Sequence, residues 1–207
     1  PVCRRFAEIE EVDRVIGVEP AAALVATANQ LANNRKLEFH VGRGESTSLE
    51  VGIADIVVLH TLLSHVPDQS AILDETRRLL KSSGQLAVCD ADFSKTSVAI
   101  GDGDPLQACV EVWLEGNVTD RWLSPRLPGL LKSKGFEVQI FKGHNRVDIA
   151  GISTGPIWVN MGADAMVKRG LIGEAAAEAL KQECQRRIDD GQFYAALPFV
   201  TAIAQKA

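Results

Sequence analysis

The sequence predicts an α/β fold built on a mostly parallel sheet with helices on both faces. Three short apolar runs, at residues 14–18, 54–59 and 85–89, are rich in β-branched side chains and have the length of fully buried strands. Helical stretches separate them. In residues 68–81 the apolar positions lie on one helical face and basic residues cluster at the end, where they suit the helix dipole. Strands that alternate with helices in this way favour a parallel sheet.

The remaining elements follow from the same patterns of hydrophobicity, glycine and proline. The predicted order is helix 2–11, strand 13–18, helix 21–33, strand 37–41, strand 54–59, helix 68–81, strand 85–89, helices 106–116 and 124–134, strand 136–141, helices 156–168 and 173–190, and strand 193–204. Two helices separate the last two strands, a connection too long for a hairpin turn. We therefore predict one domain over residues 1–207, with helical cap segments at 105–134 and 156–190.

Composition limits the classes of function. The net charge of -5 argues against a nucleic-acid surface, which usually needs a basic stripe. No apolar run reaches the roughly 18–20 residues that span a bilayer, and no signal peptide is evident. The four cysteines are far apart and indicate neither a zinc site nor a disulfide framework. These features predict a cytoplasmic protein with no nucleic-acid or membrane partner, and they leave open whether it is a monomer or a homodimer.

The first buried strand ends on a carboxylate, Glu19, and Pro20 then opens an alanine-rich helix. Proline is well tolerated there, because its missing N–H would have no partner in the first helical turn. An acid at the carboxyl end of such a strand in a nucleotide-binding sheet can accept hydrogen bonds from both ribose hydroxyls. The alternative is an ordinary buried strand with a solvated acid at its tip.

Six segments in order carry a resemblance to a known family. They are RVIGVEP at 14–20, LEFHVGRGE at 37–45, ADIVV at 54–58, LLSHVPD at 62–68, LLKSSGQL at 79–86 and GQFY at 191–194. In this order they resemble the class I S-adenosylmethionine-dependent methyltransferases, of the small-molecule, ubiquinone/menaquinone-biosynthesis-like branch. The resemblance covers about residues 2–207. It implies a Rossmann-like sheet of order 3-2-1-4-5-7-6 with strand 7 antiparallel, S-adenosyl-L-methionine as cofactor, and a small-molecule methyl acceptor as partner.

The sequence also departs from the family pattern. The family's first strand and its glycine-rich loop are absent here, since they would lie just before Pro1. Arg43 occupies the place of an aspartate that usually accepts from the adenine amino group, and Ser82-Ser83 replaces the usual proline-glycine. These departures motivate an alternative, a non-catalytic or cofactor-binding-deficient protein on the same fold. A third possibility is an NAD-dependent oxidoreductase, because an acid at the strand tip also suits NAD. An antiparallel closing strand would argue against that possibility.

The resemblance assigns roles at the carboxyl ends of the strands. It implies that Glu19 and the adjoining Pro20 contact the ribose and that Ala22, Gly44 and Glu45 line the adenine pocket. His60 and Thr61 follow the fourth strand of the family and would face the methionine end of the cofactor. The alternatives are a solvated strand end at Glu19 and a simple turn at Gly44.

Methyl transfer from a sulfonium needs mainly proximity, alignment and a dry pocket, and a general base is optional. His65 is the candidate base, with capping or packing of the following helix as the alternative. Trp113 and Trp158 are candidate walls of an apolar substrate pocket, or else helix-packing aromatics. Asp90 and Asp92 form an Asp-x-Asp pair without an evident third ligand, so no metal is expected.

Overall fold

The computed structural model describes residues 2–207, and its elements follow the predicted alternation of strands and helices. In chain order they are α1 (Val2–Ala7), β1 (Val15–Glu19), α2 (Ala22–Gln30), β2 (Leu37–Val41), β3 (Ala54–His60), α3 (Gln69–Leu79), β4 (Leu80–Ala91), α4 (Pro105–Asn117), α5 (Leu123–Ser133), β5 (Phe136–Asp148), α6 (Gly155–Lys168), α7 (Glu174–Asp189) and β6 (Ala195–Lys206). Short 3-10 helices at Leu63–His65 and Phe93–Lys95 follow β3 and β4. Within residues 2–207, no helix combines the length and apolar character needed to traverse a bilayer.

The strands form two hydrogen-bonded groups. β1 and β2 make a parallel pair, while the other four strands make a sheet of order β3-β4-β6-β5. In that sheet β3 and β4 are parallel, and β6 is antiparallel to both β4 and β5. The order within each group agrees with the prediction, 3-2 for the pair and 4-5-7-6 for the four-stranded sheet, and the family's first strand has no counterpart among residues 2–207. The antiparallel β6 also counts against the NAD-dependent oxidoreductase.

The bounds of several elements differ from those predicted, most clearly for α3, β4 and β5. Helix α3 ends at Leu79, because Leu80 already pairs with Ala54 and begins β4. β5 continues past residue 141 to Asp148, since it pairs with β6 from Phe136 opposite Lys206 to Asp148 opposite Ala195. The side chains between its two ends are mostly exposed, so no apolar pattern marks the extension. Backbone pairing with β6, rather than burial, sets the length of this edge strand.

Two hydrophobic cores lie on different parts of the sheet. The first joins β3, β4 and β6 to α3 and α5, and its fully buried members include Ile72, Leu86 and Leu127. The second joins α4, α6 and α7 to the ends of β4 and β6. Of the predicted cap segments, α4, α6 and α7 therefore share a core, whereas α5 packs on the sheet.

The cysteines are free thiols. Cys3 and Cys89 are half-buried, and Cys109 and Cys184 are buried in the core of α4, α6 and α7. Burial raises the pKa of the Cys184 thiol to about 11. Because the thiolate is the reactive form, Cys184 is a packing residue and not a nucleophile.

Candidate functional site

Glu19 lies at the carboxyl end of β1 and is half-buried. Its Oε1 accepts a hydrogen bond from the backbone N–H of Ala21 at 3.0 Å. Within residues 2–207 the Glu19 side chain makes no other hydrogen bond. The contact orients the carboxylate at the start of α2, where Ala21 provides no side-chain cap. Pro20 and Ala22 are exposed beside it. The second carboxylate oxygen is therefore available to a hydroxyl donor from outside the protein.

The loop after β2 packs against the segment that follows β3. A Cβ built on Gly44 would lie 2.7 Å from Ile72 Cδ1 and 3.7 Å from Leu62 Cδ2. A larger residue at this position would require the Ile72 side chain to shift, so Gly44 allows the loop to pack closely here. The structure thus brings Gly44 and Glu45 next to the segment after His60 and Thr61, as expected for residues that share one edge of a parallel sheet.

Arg43 turns back toward its own loop. Its Nε donates to Glu45 Oε1 at 2.5 Å, and the Arg43 side chain is 73% exposed. Hydrogen bonds from the backbone N–H of Glu45 and from Arg43 lower the pKa of the Glu45 carboxyl. The positive charge at the position where the family usually carries an aspartate is therefore offset by its neighbour.

A buried carboxylate that sequence reasoning missed anchors this loop. Glu75 of α3 accepts from the N–H of Thr47 at 2.9 Å and from its hydroxyl at 2.5 Å. Arg78 donates to Glu75 at 2.7 Å and to the Leu49 carbonyl at 2.7 Å. Arg78 is the main cause that lowers the pKa of Glu75 to about 2. In sequence Glu75 resembles any solvated acid on an amphipathic helix, and no local signal reveals its burial.

His60 and Thr61 lie exposed at the carboxyl end of β3. His60 Nδ1 is 3.1 Å from the Thr61 hydroxyl, and the Thr61 N–H donates to the Cys89 carbonyl of β4 at 2.8 Å. Thr61 has φ +46°, which a β-branched residue rarely adopts. Such strain persists only when the surroundings hold it in place, and it is concentrated at functional sites.

Replacing Thr61 by glycine is expected to raise the free energy of unfolding by about 1 kcal/mol, because relief of backbone strain exceeds the entropy that glycine loses on folding. The melting temperature should rise by about 2–4 °C. Alanine, which keeps the Cβ, should give no such gain. Ser48→Gly is the comparison: Ser48 also has a positive φ, of 60°, in an exposed position, but serine is not β-branched, so the gain there should be smaller. A T61G protein less stable than T61A would contradict the prediction that the backbone at Thr61 is strained.

His65 lies at the end of the 3-10 helix after β3, and its imidazole is fixed on two sides. Nδ1 is 3.3 Å from the carbonyl oxygen of Asn117, and the ring meets Phe93 edge-on with centroids 5.5 Å apart. The preceding Ser64 is fully buried, and its hydroxyl donates to Asp90 at 2.6 Å. The structure therefore places His65 on a loop held firmly to the end of β4.

Both carboxylates of the Asp-x-Asp pair accept hydrogen bonds from neighbouring residues. Asp90 is fully buried and accepts from the Ser64 hydroxyl, the Ser64 N–H and the Ala91 N–H. Asp92 accepts from the N–H and the hydroxyl of Ser94. Both carboxylates thus organise the chain after β4.

The two candidate pocket tryptophans stack on each other between α4 and α6. Their ring centroids lie 5.0 Å apart with an interplanar angle of 24°. Trp158 is 7% exposed and belongs to the core of α4, α6 and α7, against which Trp113 packs. The observed role of the pair is helix packing, and contact with a substrate stays a prediction.

Comparison with known proteins adds a family match. Residues 2–88 match the family model described as a methyltransferase domain. Over 126 residues the chain is 26% identical to an uncharacterized 37.1 kDa protein in transposon TN4556 of Streptomyces fradiae. That alignment covers 60% of this chain and 36% of the relative. The chain thus spans about a third of the length of this curated relative.

Solved structures share the fold at low identity. A Bacillus halodurans protein assigned as a methyltransferase superposes with a TM-score of 0.62 at 17% identity, covering 93% of this chain and 83% of that one. The [4+2]-cyclase SpnF gives 0.56 at 16% identity, with 99% and 68% covered. A Haemonchus contortus phosphoethanolamine N-methyltransferase, solved with phosphomonomethylethanolamine and S-adenosylhomocysteine, gives 0.53 at 13% identity, with 96% and 46% covered.

Proposed function

We propose that this chain transfers a methyl group from S-adenosylmethionine to a small organic acceptor. The premise is its class I S-adenosylmethionine-dependent methyltransferase fold, together with the methyltransferase-domain match in residues 2–88. The observation that carries the proposal is Glu19. Its carboxylate ends β1, is oriented by the Ala21 N–H, and keeps one oxygen for a ligand hydroxyl. A ribose would supply such hydroxyls.

The other residues at this edge fit the remaining parts of the cofactor. Ala22 and the loop of Gly44 and Glu45 would line the adenine. His60 and Thr61 would lie toward the methionine end. The cofactor would supply an activated methyl group on a positively charged sulfur. The chain's own task would then be to align the acceptor behind that carbon and to exclude water.

Binding of S-adenosylhomocysteine, measured by isothermal titration calorimetry, tests the proposal. The wild-type chain should bind, and E19Q should weaken binding by roughly 10-fold or more, because a hydrogen bond to a charged group is worth about 1.5–3 kcal/mol. E50Q is the matched control, since Glu50 is an exposed acid that does not lie at the carboxyl end of a strand. Equal affinities of E19Q and E50Q would reject the role of Glu19.

A second candidate is a protein that uses this fold without methyl transfer. One observation favours it: Arg43 stands where the family usually carries an aspartate. The likeness to a [4+2]-cyclase indicates that the fold also serves other chemistry. No binding of S-adenosylhomocysteine by the wild-type chain would favour this candidate over the first.

A further inference from the structure

The last residue of α4 and the three residues after it, 117–120, contact the loop that carries His65. The Thr119 hydroxyl donates to the His65 carbonyl at 3.0 Å, and the Asp120 N–H donates to the Ser64 carbonyl at 2.9 Å. Gln69 strengthens the contact, because its Nε2 donates both to Asp120 Oδ2 at 3.1 Å and to the Leu63 carbonyl at 3.2 Å. We call residues 117–120 the clamp.

The clamp also determines which nitrogen of His65 carries the proton. Nδ1 of His65 faces the Asn117 carbonyl oxygen at 3.3 Å, and a carbonyl can only accept a hydrogen bond. Of the two neutral tautomers, the one with a protonated Nδ1 makes this hydrogen bond. In a neutral imidazole this leaves Nε2 with a free lone pair, which is the form that a general base needs.

The opposite side of the loop is held just as firmly. Asp90, fully buried at the end of β4, accepts from both the hydroxyl and the N–H of Ser64. Phe93, 5% exposed, packs against the edge of the imidazole at an interplanar angle of 73°. The loop is thus held from the sheet on one side and from the end of α4 on the other, and the ring itself contacts Phe93 and the Asn117 carbonyl.

We infer that the clamp is a positioning device that holds His65 as the general base of the reaction, with Nε2 as the proton acceptor and Thr119 as a positioning residue. The inference rests on the proposed function. As a bond forms between the acceptor atom and the methyl carbon, the carbon–sulfur bond breaks and its electron pair returns to sulfur. The acceptor's proton passes to His65 Nε2, and the resulting imidazolium releases it to solvent.

The tautomer can be measured without cofactor or acceptor, by long-range proton–nitrogen correlation spectra of nitrogen-15-labelled protein. In the wild type, His65 should show a protonated Nδ1 and an unprotonated Nε2. T119V should shift both nitrogen resonances toward the average of two tautomers, and T119S, which keeps the hydroxyl, should restore the wild-type pattern. T27V is the matched control, because the Thr27 hydroxyl also donates to a backbone carbonyl, that of Ala23, at 3.0 Å.

A protonated Nε2 in the wild-type protein would overturn the inference, and so would a T119V spectrum identical to that of the wild type. The wild-type spectrum alone decides the tautomer, so the inference stays falsifiable even if T119V fails to fold. Failure of the proposed function would register separately, as loss of S-adenosylhomocysteine binding in calorimetry.

Discussion

Replacing Asp104 by alanine is expected to lower the free energy of unfolding by about 3–5 kcal/mol, because it leaves a buried guanidinium without its main partner. Asp104 is the N-cap of α4, and its side chain is 3% exposed. Arg187 of α7, 7% exposed, donates to the two carboxylate oxygens at 2.6 and 3.1 Å. The two residues are 83 positions apart in sequence, and their ion pair joins α4 to α7.

Further variants distinguish the contribution of the ion pair to stability from that of the helix cap. D104N keeps a good N-cap and should lose about 1 kcal/mol less than D104A. D104A combined with R187M should lose less than the sum of the two single changes, because the double variant leaves no unpaired buried charge. D102A is the matched control, since Asp102 is exposed in the same loop. Urea unfolding of D104A, D104N, R187M, the double variant and D102A measures these differences, and a D104A protein as stable as D102A would contradict the prediction.

Lowering the pH should remove the contribution of the Asp104–Arg187 pair to the free energy of unfolding. Burial opposes ionisation of Asp104, but hydrogen bonds from Arg187 and from the N–H groups of Ile100 and Leu106 outweigh it and lower the pKa of the carboxyl. The ionised Asp104 carboxylate contributes its full stabilisation at pH values above about 3.9, the ordinary aspartate pKa. This contribution is lost as the pH falls through the lowered pKa of Asp104. The wild type should therefore lose stability more steeply than D104N below about pH 4.

The buried strands could be predicted because their side chains carry the signal. β1 and β3 are short β-branched runs, and their carboxyl ends fall at Glu19 and His60, where the sequence predicts them. β5 shows the limit of this reasoning, since its exposed residues after Phe141 have no apolar pattern and are held by backbone pairing with β6.

The candidate site likewise has residues that the sequence predicts and contacts that only the fold shows. Residues at strand ends, such as Glu19 and Thr61, follow from strand boundaries alone. The contacts that hold the site together do not, because they join distant residues: Thr47 to Glu75, Ser64 to Asp90 and Thr119 to His65. Each of these polar residues has a plausible solvated role in sequence, and only the fold decides which of them are buried or paired.

Gly162 fixes the closest approach of α4 and α6, and no local pattern identifies it. A Cβ built on Gly162 would lie 1.9 Å from the carbonyl oxygen of Cys109, which belongs to the backbone of α4 and cannot rotate away. Its neighbours Val159 and Ala163 are fully buried in the same core. An added methyl group must therefore push the two helices apart, and the stacked indoles of Trp113 and Trp158 would separate with them.

G162A is accordingly expected to lower the free energy of unfolding by about 3 kcal/mol, the upper end of the usual cost of overpacking. G116A is the matched control: Gly116 also lies in a helix, α4, but a Cβ there meets no atom within 4 Å. That change should stabilise the protein by about 0.5–1 kcal/mol, because alanine is the better helix former. Urea unfolding followed by tryptophan fluorescence measures both effects. If G162A proved as stable as G116A, the tight crossing of the two helices would be refuted, because the same methyl group would then fit equally well in both places.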